Sequence, residues 1–345
     1  MNWAKTQSRA RYNLATSGVG AFPLSELGVL PPLEINGENS YGYAPLQRAI
    51  ADRQGVDPQC VVTAAGTSGA NYLAFATLLE PGDEVVIETP TYGLLVDSLE
   101  YVGATVKRFA RTPESGFALD PEAVRRAVSP RTRLIVVTNL HNPSSVLAGE
   151  AELREVGAIA RSVGARVLVD EVYLDAVYEN TPPSAFHLGP EFVVTSSLTK
   201  VYGVSGIRCG WILAQPDVAR AMWRLNDLFA ATPVHPGELL GVAVFQQLEM
   251  VRARFRRIVD ADRLLLNQFL DRCRGVSAVR TPWGTTSFLH LHHGEVTNFL
   301  SRLRAEQETS AVPGHFFGML DFFRIGMGVN HDMFAEGLRR LEGAL

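Results

Sequence analysis

Short runs of β-branched residues alternate with longer amphipathic segments through the middle of this 345-residue chain. The apolar runs are continuous, as expected for strands that helices cover on both faces. They lie at 85–88, 133–138, 166–170 and 192–195, and helical spacing is found at 121–128, 150–163 and 239–273. The alternation predicts βαβ units and an α/β fold with a largely parallel sheet.

The last third of the chain has a different pattern. Residues 279–292 contain Pro282-Trp-Gly284 and are predicted as strand and turn. A helix, a strand and a closing helix are predicted at 298–306, 322–328 and 333–345. The first 37 residues have no core pattern of their own. We therefore predict a large α/β domain over 38–245 and a small α+β domain built from 1–37 and 246–345.

Composition and charge argue against several classes of protein. The 32 basic and 36 acidic side chains give a net charge of −4, which offers nucleic acid and anionic membranes no electrostatic footprint. No apolar run reaches the roughly 18 residues of a membrane helix, and the first residues lack a hydrophobic signal core. Three widely spaced cysteines indicate reduced thiols. We expect a cytoplasmic protein that binds neither nucleic acid nor membrane.

Several common motifs are incomplete or missing. There is no GxxxxGKS/T phosphate loop. The segment Gly18-Val-Gly20-Ala-Phe-Pro23 begins like a dinucleotide fingerprint, but Pro replaces the last Gly and no strand precedes it. His290, His292 and His293 are close in sequence but follow an apolar strand pattern, and neither HExxH nor CxxC occurs. We predict no metal site.

The turn Gly66-Thr-Ser68-Gly69-Ala70 follows the apolar run Val61-Val-Thr63 and precedes a helical pattern. A serine hydrolase needs GxSxG on such a turn, and here the final Gly is displaced by one position. The same turn could instead bind phosphate through backbone N–H groups at a helix start. The turn alone does not separate a hydrolase nucleophile at Ser68 from a phosphate site.

Four polar segments end or closely follow predicted strands. They are Asn139-Leu-His-Asn142, Asp170-Glu-Val-Tyr173, Ser196-Ser-Leu-Thr-Lys200 and Gly206-Ile-Arg208-Cys-Gly210. Ligands of parallel α/β sheets gather beyond the carboxyl ends of the strands. The segments are therefore expected to form one site with a lysine, a carboxylate, a phenol, an amide and an arginine.

These residue types suit one cofactor. A lysine forms a Schiff base with a carbonyl compound, and a buried Asp170 needs a cation such as a protonated pyridine nitrogen. Arg208 and the Gly66 turn offer a cation and N–H donors to a phosphate. Together they are the groups that bind pyridoxal 5′-phosphate (PLP).

The order and spacing of these blocks resemble the class I/II, fold-type I PLP-dependent aminotransferases, the aspartate aminotransferase-like family. The resemblance runs from about residue 13 to the C-terminus. It includes Asp-x-x-Tyr, Ser-x-x-Lys-x-x-Gly with Arg208 eight residues after the lysine, and Pro313-Gly-His-Phe-Phe-Gly318 followed by Phe323-Arg324-Ile-Gly326. It implies a large, mostly parallel, seven-stranded sheet domain and a small α+β domain.

The resemblance also implies a reaction. An amino group would pass from an L-amino acid to a 2-oxo acid by a ping-pong route through pyridoxamine phosphate. Other PLP reactions use the same scaffold, so a β-lyase, decarboxylase, racemase or cyclising or oxidising enzyme is the alternative. A protein that holds PLP without turnover is a further alternative.

Each catalytic role follows from the resemblance. Lys200 would form the Schiff base and carry the proton between the substrate Cα and the cofactor. Asp170 would keep the pyridine nitrogen protonated. Tyr173 and Asn142 would hydrogen-bond the phenolic oxygen of the ring, and Tyr92 would stack on its face.

The resemblance assigns further residues to the phosphate and the substrate. The phosphate would be held by Gly66, Thr67, Ser68, Ser197 and Arg208. Tyr41 would reach the phosphate of a neighbouring subunit, with Tyr43 as the competing assignment, so a homodimer is expected. Arg324 would clamp the substrate α-carboxylate, and Asn142 and Gly18 would line the same pocket.

The sequence departs from the family at the amide loop. The family pattern Asn-Pro-x-Asn-Pro-Thr-Gly is replaced by Asn139-Leu-His-Asn-Pro-Ser-Ser145, and Thr199 precedes the lysine where Ser is common. Trp283, Phe22 and Phe317 are candidate neighbours of the substrate side chain, which suggests an apolar or mixed pocket. The amino acid and the oxo acid do not follow from the sequence.

Overall fold

The computed structural model describes residues 2–6, 8–28, 30 and 32–345. The strands, in chain order, are β1 Tyr12–Asn13, β2 Val61–Ala65, β3 Glu84–Thr89, β4 Thr105–Ala110, β5 Thr132–Thr138, β6 Arg166–Asp170, β7 Phe192–Ser197, β8 Cys209–Leu213, β9 Val276–Ala278, β10 Thr286–Leu291, β11 Thr309–Ser310, β12 Val312–Pro313 and β13 Phe322–Gly326. The helices are α1 Asn2–Thr6, α2 Ala44–Gln54, α3 Gly66–Leu78, α4 Gly93–Tyr101, α5 Pro121–Ala127, α6 Glu150–Val163, α7 Pro216–Asn226, α8 His235–Phe245, α9 Leu248–Arg272, α10 Val296–Gln307 and α11 His331–Ala344.

A seven-stranded sheet forms the larger part of the fold. Its order is β2-β8-β7-β6-β5-β3-β4. The strands from β7 to β4 pair in parallel, and β8 runs antiparallel to both of its neighbours. The four strands predicted from apolar runs correspond to β3, β5, β6 and β7. The predicted α/β architecture with a mostly parallel sheet is confirmed.

The central strands are buried on both faces. In β5, Leu134 and Val136 belong to the apolar cluster on one face, while Ile135 and Val137 belong to the cluster on the other. All four side chains are at most 1% exposed. Successive side chains of a strand point to opposite faces, so two-sided burial requires a continuous apolar run rather than an alternating one.

A four-stranded antiparallel sheet, ordered β12-β13-β10-β9, forms the smaller part. Its apolar cluster includes residues of α9, α10 and α11. The N-terminal arm joins this part, because β1 pairs in parallel with β11 and Leu14 lies in the same cluster. The domain boundaries at 37/38 and 245/246 stay a prediction.

The single long helix predicted over 239–273 is wrong. The structure has two helices, α8 and α9, separated at Gln246 and Gln247. Gln247 has φ −126° and ψ 21°, outside the helical region, and its side-chain Oε1 accepts a hydrogen bond from the Gly28 N–H at 3.0 Å. Glutamine has good helix propensity, so local sequence gives no signal for a break that coincides with a distant contact.

Within the described residues, no helix is both long and apolar enough to cross a membrane.

Candidate functional site

The carboxyl ends of the central strands bring three of the four predicted polar segments together. The prediction is wrong for the fourth, 206–210, which leads into β8 instead of following a strand end; β8 runs antiparallel to β7. Thr138 of β5 is in register with Asp170 of β6, which is in register with Thr195 of β7. The Asn139 N–H donates to the Asp170 carbonyl at 2.8 Å. Parallel pairing places the segments that follow these strands at one edge of the sheet.

Asp170 is a buried carboxylate, 5% exposed, at the end of β6. Its Oδ2 accepts from Asn71 Nδ2 at 2.8 Å, and its Oδ1 accepts from the Val172 N–H at 3.1 Å. Burial raises the pKa of Asp170 to about 6, and these two hydrogen bonds oppose the rise. No ion pair is formed by Asp170 within the described chain. A cationic ring nitrogen would supply the missing partner.

Asn71 is a site residue that the sequence analysis missed. It lies on α3 and is 6% exposed. Its amide donates to Asp170 and accepts from Thr195 Oγ1 at 2.6 Å, so it orients the carboxylate. The available signal was a single amide within the otherwise small and apolar helix sequence that follows the Gly66 turn. A buried amide in such a helix needs a specific polar partner.

Lys200 lies in a cavity of about 570 Å³ between the two sheets. Tyr92 and Arg324 line the same cavity, as does Phe317. The Lys200 amine donates to Ser17 Oγ at 2.9 Å. The cavity therefore combines an amine, a phenol and a guanidinium, each from a different part of the chain.

Arg324 is a buried guanidinium, 6% exposed, on β13. Its Nη1 donates to Asn142 Oδ1 at 3.0 Å and its Nη2 to the Ala15 carbonyl at 3.4 Å. The Phe317 ring packs against the guanidinium, with its centroid 5.0 Å from Arg324 Cζ. Burial lowers the pKa of Arg324, and in the described chain no carboxylate pairs with it. A carboxylate ligand would satisfy this cation as a bidentate partner.

The Gly66 turn brings hydroxyl groups and a guanidinium together at the start of α3. Gly66 has φ +71°, and a Cβ there would overlap the guanidinium of Arg208. Thr67 Oγ1 donates to Ser197 Oγ at 2.7 Å, which is also 2.7 Å from Thr199 Oγ1. Hydroxyls, an arginine and the N-terminus of a thirteen-residue helix together favour a phosphate group.

Ser68 is exposed at the start of α3. It makes no hydrogen bond to a histidine or a carboxylate in the described part of the chain. A serine nucleophile needs a base within hydrogen-bonding reach. The geometry therefore favours the phosphate alternative over the hydrolase alternative for this turn.

Two tyrosines lie near Arg324, and one of them, Tyr92, lines the cavity. Tyr92 precedes the first residue of α4, and burial raises its pKa to about 12. Tyr173 is 5% exposed and follows β6 by three residues. Each is electrostatically coupled to Arg324, so both phenols lie near the amide and guanidinium pair.

His141 stabilises the loop that carries Asn142. The ring is buried, with Nδ1 2.6 Å from Ser144 Oγ and Nε2 2.9 Å from the Pro90 carbonyl. Burial holds its pKa well below the usual value. Since Nε2 faces a carbonyl, it carries the proton and Nδ1 accepts from Ser144. His141 thus ties the Asn142 loop to the loop before Tyr92.

Gly18 and the two candidate tyrosines differ in their surroundings. A Cβ at Gly18 would lie 3.1 Å from the Lys200 carbonyl oxygen, so a larger residue there would crowd the lysine backbone. Tyr41 is 47% exposed, and its ring lies 6.1 Å from that of Trp223. Tyr43 instead packs edge-on against His235 at 5.0 Å.

Only one of the three aromatic residues expected beside the substrate lines the cavity. Phe317 lines the cavity, but Phe22 and Trp283 do not. Phe22 packs on Phe255 with ring centroids 6.3 Å apart, and Trp283 packs against the core of the large sheet. The cavity is instead bounded by other aromatic, charged and imidazole side chains, namely Trp3, Phe316, Asp97, Arg108 and His315.

The three clustered histidines have protein partners. His290 stacks on Phe322 at 4.8 Å. His292 has its two ring nitrogens 2.9 Å from the Arg274 carbonyl and from Ser277 Oγ. No group of three or more His, Cys, Asp or Glu residues in the described ranges could hold a metal ion.

Comparisons with known proteins find relatives over most of this chain. The family model described as "Aminotransferase class I and II" matches residues 36–341. Capreomycidine synthase of Streptomyces vinaceus is 30% identical, with 98% of this chain and 90% of that protein covered. The aspartate/prephenate aminotransferase of Thermus thermophilus is 28% identical, with 88% and 82% covered.

A solved PLP-dependent aminotransferase from Streptococcus suis superposes with a TM-score of 0.92 at 27% identity, covering 97% of this chain and 93% of that one. Fold-type I architecture is thereby confirmed, and with it the cofactor class. This chain belongs to the class I and II aminotransferases, a family of PLP-dependent enzymes.

Proposed function

We propose that this protein transfers an amino group from an L-amino acid with a free α-carboxylate to a 2-oxo acid. The observation that carries the proposal is Arg324, a buried guanidinium without an acidic partner among the described residues, which shares one cavity with Lys200. An α-carboxylate on Arg324 brings the substrate Cα into the same cavity as the lysine. Such placement is what a positioned proton transfer requires.

The residues suit PLP as their cofactor. PLP, when bound, supplies an electron sink for the negative charge that develops at the substrate Cα. Asp170 would hold the protonated ring nitrogen, because this buried carboxylate forms no ion pair with the residues that the structure describes. Tyr173 and Asn142 would donate to the phenolic oxygen, and Tyr92 would cover the ring face.

Asn142 can serve the cofactor and the substrate together. Its Oδ1 accepts from Arg324, which leaves the Nδ2 hydrogens to donate to the phenolic oxygen. The amide would therefore set the guanidinium and the ring at a fixed separation. Lys200 would take the proton from Cα, and Gly18 would line the same pocket from the N-terminal arm.

Phosphate binding is proposed for the turn at the start of α3. Thr67 and Ser68 would donate there, together with Ser197 and Arg208. Gly66 would contribute room for the phosphate rather than a donor, because its N–H donates to the Arg208 carbonyl at 2.8 Å and it carries no Cβ. Tyr41 of a second copy would reach the same phosphate, since its side chain is 47% exposed. We accordingly propose a homodimer. The cytoplasm is proposed as its location, because the three cysteines are free.

A second candidate is another PLP reaction on an α-amino acid, namely a β-lyase, decarboxylase, racemase or cyclising or oxidising reaction. This second candidate is supported by the similarity of 98% of this chain to a protein named capreomycidine synthase. Arg324 would bind the α-carboxylate in most of these reactions as well, so the cavity supports both candidates.

The deciding experiment mixes the PLP-loaded protein with pooled L-amino acids in the absence of an oxo acid. Pyridoxamine phosphate and released 2-oxo acid are then quantified by chromatography and mass spectrometry, with Lys200→Ala as the control. Stoichiometric formation of both, reversed by adding a 2-oxo acid, is the expected result. Consumption of an amino acid without pyridoxamine phosphate would favour the second candidate and refute amino transfer.

A further inference from the structure

A hydroxyl group lies against the amine of Lys200. Lys200 Nζ donates a hydrogen bond to Ser17 Oγ over 2.9 Å, between residues 183 positions apart. Both side chains line the cavity that also contains Arg324. Nothing in the motif pattern around the lysine indicates this partner, because Ser17 belongs to the N-terminal arm.

The arm holds Ser17 firmly in this position. The Ser17 carbonyl accepts from Thr285 Oγ1 at 2.8 Å. Two residues later, the Val19 N–H donates to the Lys200 carbonyl at 2.9 Å. Gly326 allows the arm to pass close to β13, since a Cβ there would overlap the Thr16 carbonyl. The backbone that carries the hydroxyl is therefore held on both sides of Ser17.

We propose that Ser17 is a positioning residue for the Lys200 amine in proton transfer at the substrate Cα. This inference rests on the proposed function, in which Lys200 is the base. By accepting one N–H of the amine, Ser17 restricts rotation about the end of the lysine side chain, so the nitrogen lone pair samples fewer directions. Well-oriented groups gain rate because less freedom is lost on reaching the transition state.

The proton balance needs nothing beyond these groups. The Cα–H bond breaks and an N–H bond forms at Lys200 Nζ, while the electron pair of the C–H bond passes to the electron sink. The amine becomes an ammonium, whose hydrogen bond to Ser17 is stronger because the donor is charged. Ser17 keeps its own proton throughout. Its effect is therefore on geometry and on the charged product of the transfer.

The test compares Ser17→Ala with Ser17→Thr, which retains a hydroxyl. In the PLP-loaded enzyme, we expect Ser17→Ala to lower kcat of the amino-donor half-reaction about 10-fold, the size of one hydrogen bond to a charged group. The KM for the amino acid should stay close to wild type. The kinetic isotope effect with a Cα-deuterated amino acid should increase, and Ser17→Thr should recover much of kcat.

A second measurement does not depend on turnover. In the cofactor-free protein, the rate at which an amine-reactive reagent labels Lys200 is followed by peptide mass spectrometry. Ser17→Ala should label faster than wild type and Ser17→Thr should not, because only the alanine variant releases the amine. Ser162→Ala is the control, since Ser162 Oγ bonds the Ile159 carbonyl on α6.

The outcomes separate this inference from the proposed function. Unchanged kcat and isotope effect in Ser17→Ala would overturn the positioning role, and so would an increase in KM alone, which would indicate substrate binding instead. Unchanged labelling would show that the contact does not hold the amine. If wild type forms no pyridoxamine phosphate, the proposed function fails, whereas the labelling comparison still reports on the contact.

Discussion

Asn142 and Arg324 are 182 positions apart and are joined by a hydrogen bond of 3.0 Å between Oδ1 and Nη1. Asn142 follows β5 of the large sheet, and Arg324 lies on β13 of the small sheet. The contact sets a neutral acceptor beside a buried guanidinium, and no carboxylate among the described residues pairs with Arg324. The pair therefore joins the two sheets at the point where an anionic ligand is needed.

We expect Arg324→Lys to lower kcat/KM for the amino donor by about 100-fold or more, because one ammonium cannot replace a bidentate fork in a desolvated site. The affinity for PLP should change little, since Arg324 is assigned to the substrate. Steady-state kinetics and PLP titration measure the two effects. Arg339→Lys is the matched control, as Arg339 pairs with Glu336 on the exposed face of α11. Equal losses of kcat/KM in Arg324→Lys and Arg339→Lys would contradict the assignment of Arg324 to the substrate carboxylate.

Asp170 predicts a pH dependence of stability in the cofactor-free protein. Its pKa is raised by burial from 3.8 to about 6, so the folded chain keeps a proton that the unfolded chain has released. Stability is then lost as pH rises from about 4 through about 6.

The measurement is urea unfolding of wild type and Asp170→Asn without cofactor. Between pH 4.5 and 7.5, the unfolding free energy of wild type should fall by about 2 kcal/mol relative to that of the variant. Any constant cost of the new amide cancels in this comparison. In the PLP-loaded protein, the unfolding free energies of wild type and Asp170→Asn should depend on pH in the same way. Without PLP, a difference in unfolding free energy that stays constant with pH would contradict the prediction.

The two candidate tyrosines can be separated by paired variants. We expect Tyr41→Phe to weaken PLP binding about 10-fold, because a hydrogen bond to a charged phosphate is lost. Tyr43→Phe should bind PLP like wild type, since that ring packs within its own chain against His235. Titration with PLP and sedimentation of the loaded protein give affinity and oligomeric state. If Tyr43→Phe weakens PLP binding and Tyr41→Phe does not, the contact with the neighbouring phosphate belongs to Tyr43. A monomer that binds PLP with full affinity would exclude both tyrosines.

A buried ion pair supports the loop that precedes Tyr92. Arg111 Nη1 donates to Glu88 Oε2 at 2.9 Å, and both side chains are fully buried. We expect Arg111→Met to destabilise the protein by about 3–5 kcal/mol, because Glu88 is left as an unpaired buried charge. Glu88→Gln in the same chain should recover a large part of the loss in urea unfolding. A double variant as unstable as the single one would show that packing, rather than charge, sets the cost.

The sequence predicted the central sheet well because burial on both faces imposes a local pattern. The strands β3, β5, β6 and β7 are continuous apolar runs, and continuity needs no knowledge of the neighbours. β4 was not predicted, because it is an edge strand with mixed exposure and includes Lys107 and Arg108. The break between α8 and α9 was not predicted either, because glutamines favour helix and a contact with Gly28 accompanies the interruption.

At the site, ordered blocks in the sequence identified Asp170 and Lys200 at strand ends, and Arg208 at a fixed spacing from the lysine. The partners of these residues come from segments that only folding brings close. Asn71 on Asp170 and Ser17 on Lys200 come from segments that are 99 and 183 positions away. The aromatic boundary of the cavity also comes from distant segments, with Trp3 and Phe316 in place of Phe22 and Trp283. Such contacts depend on how arm, sheet and loop pack together, and no local spacing in the sequence encodes that packing.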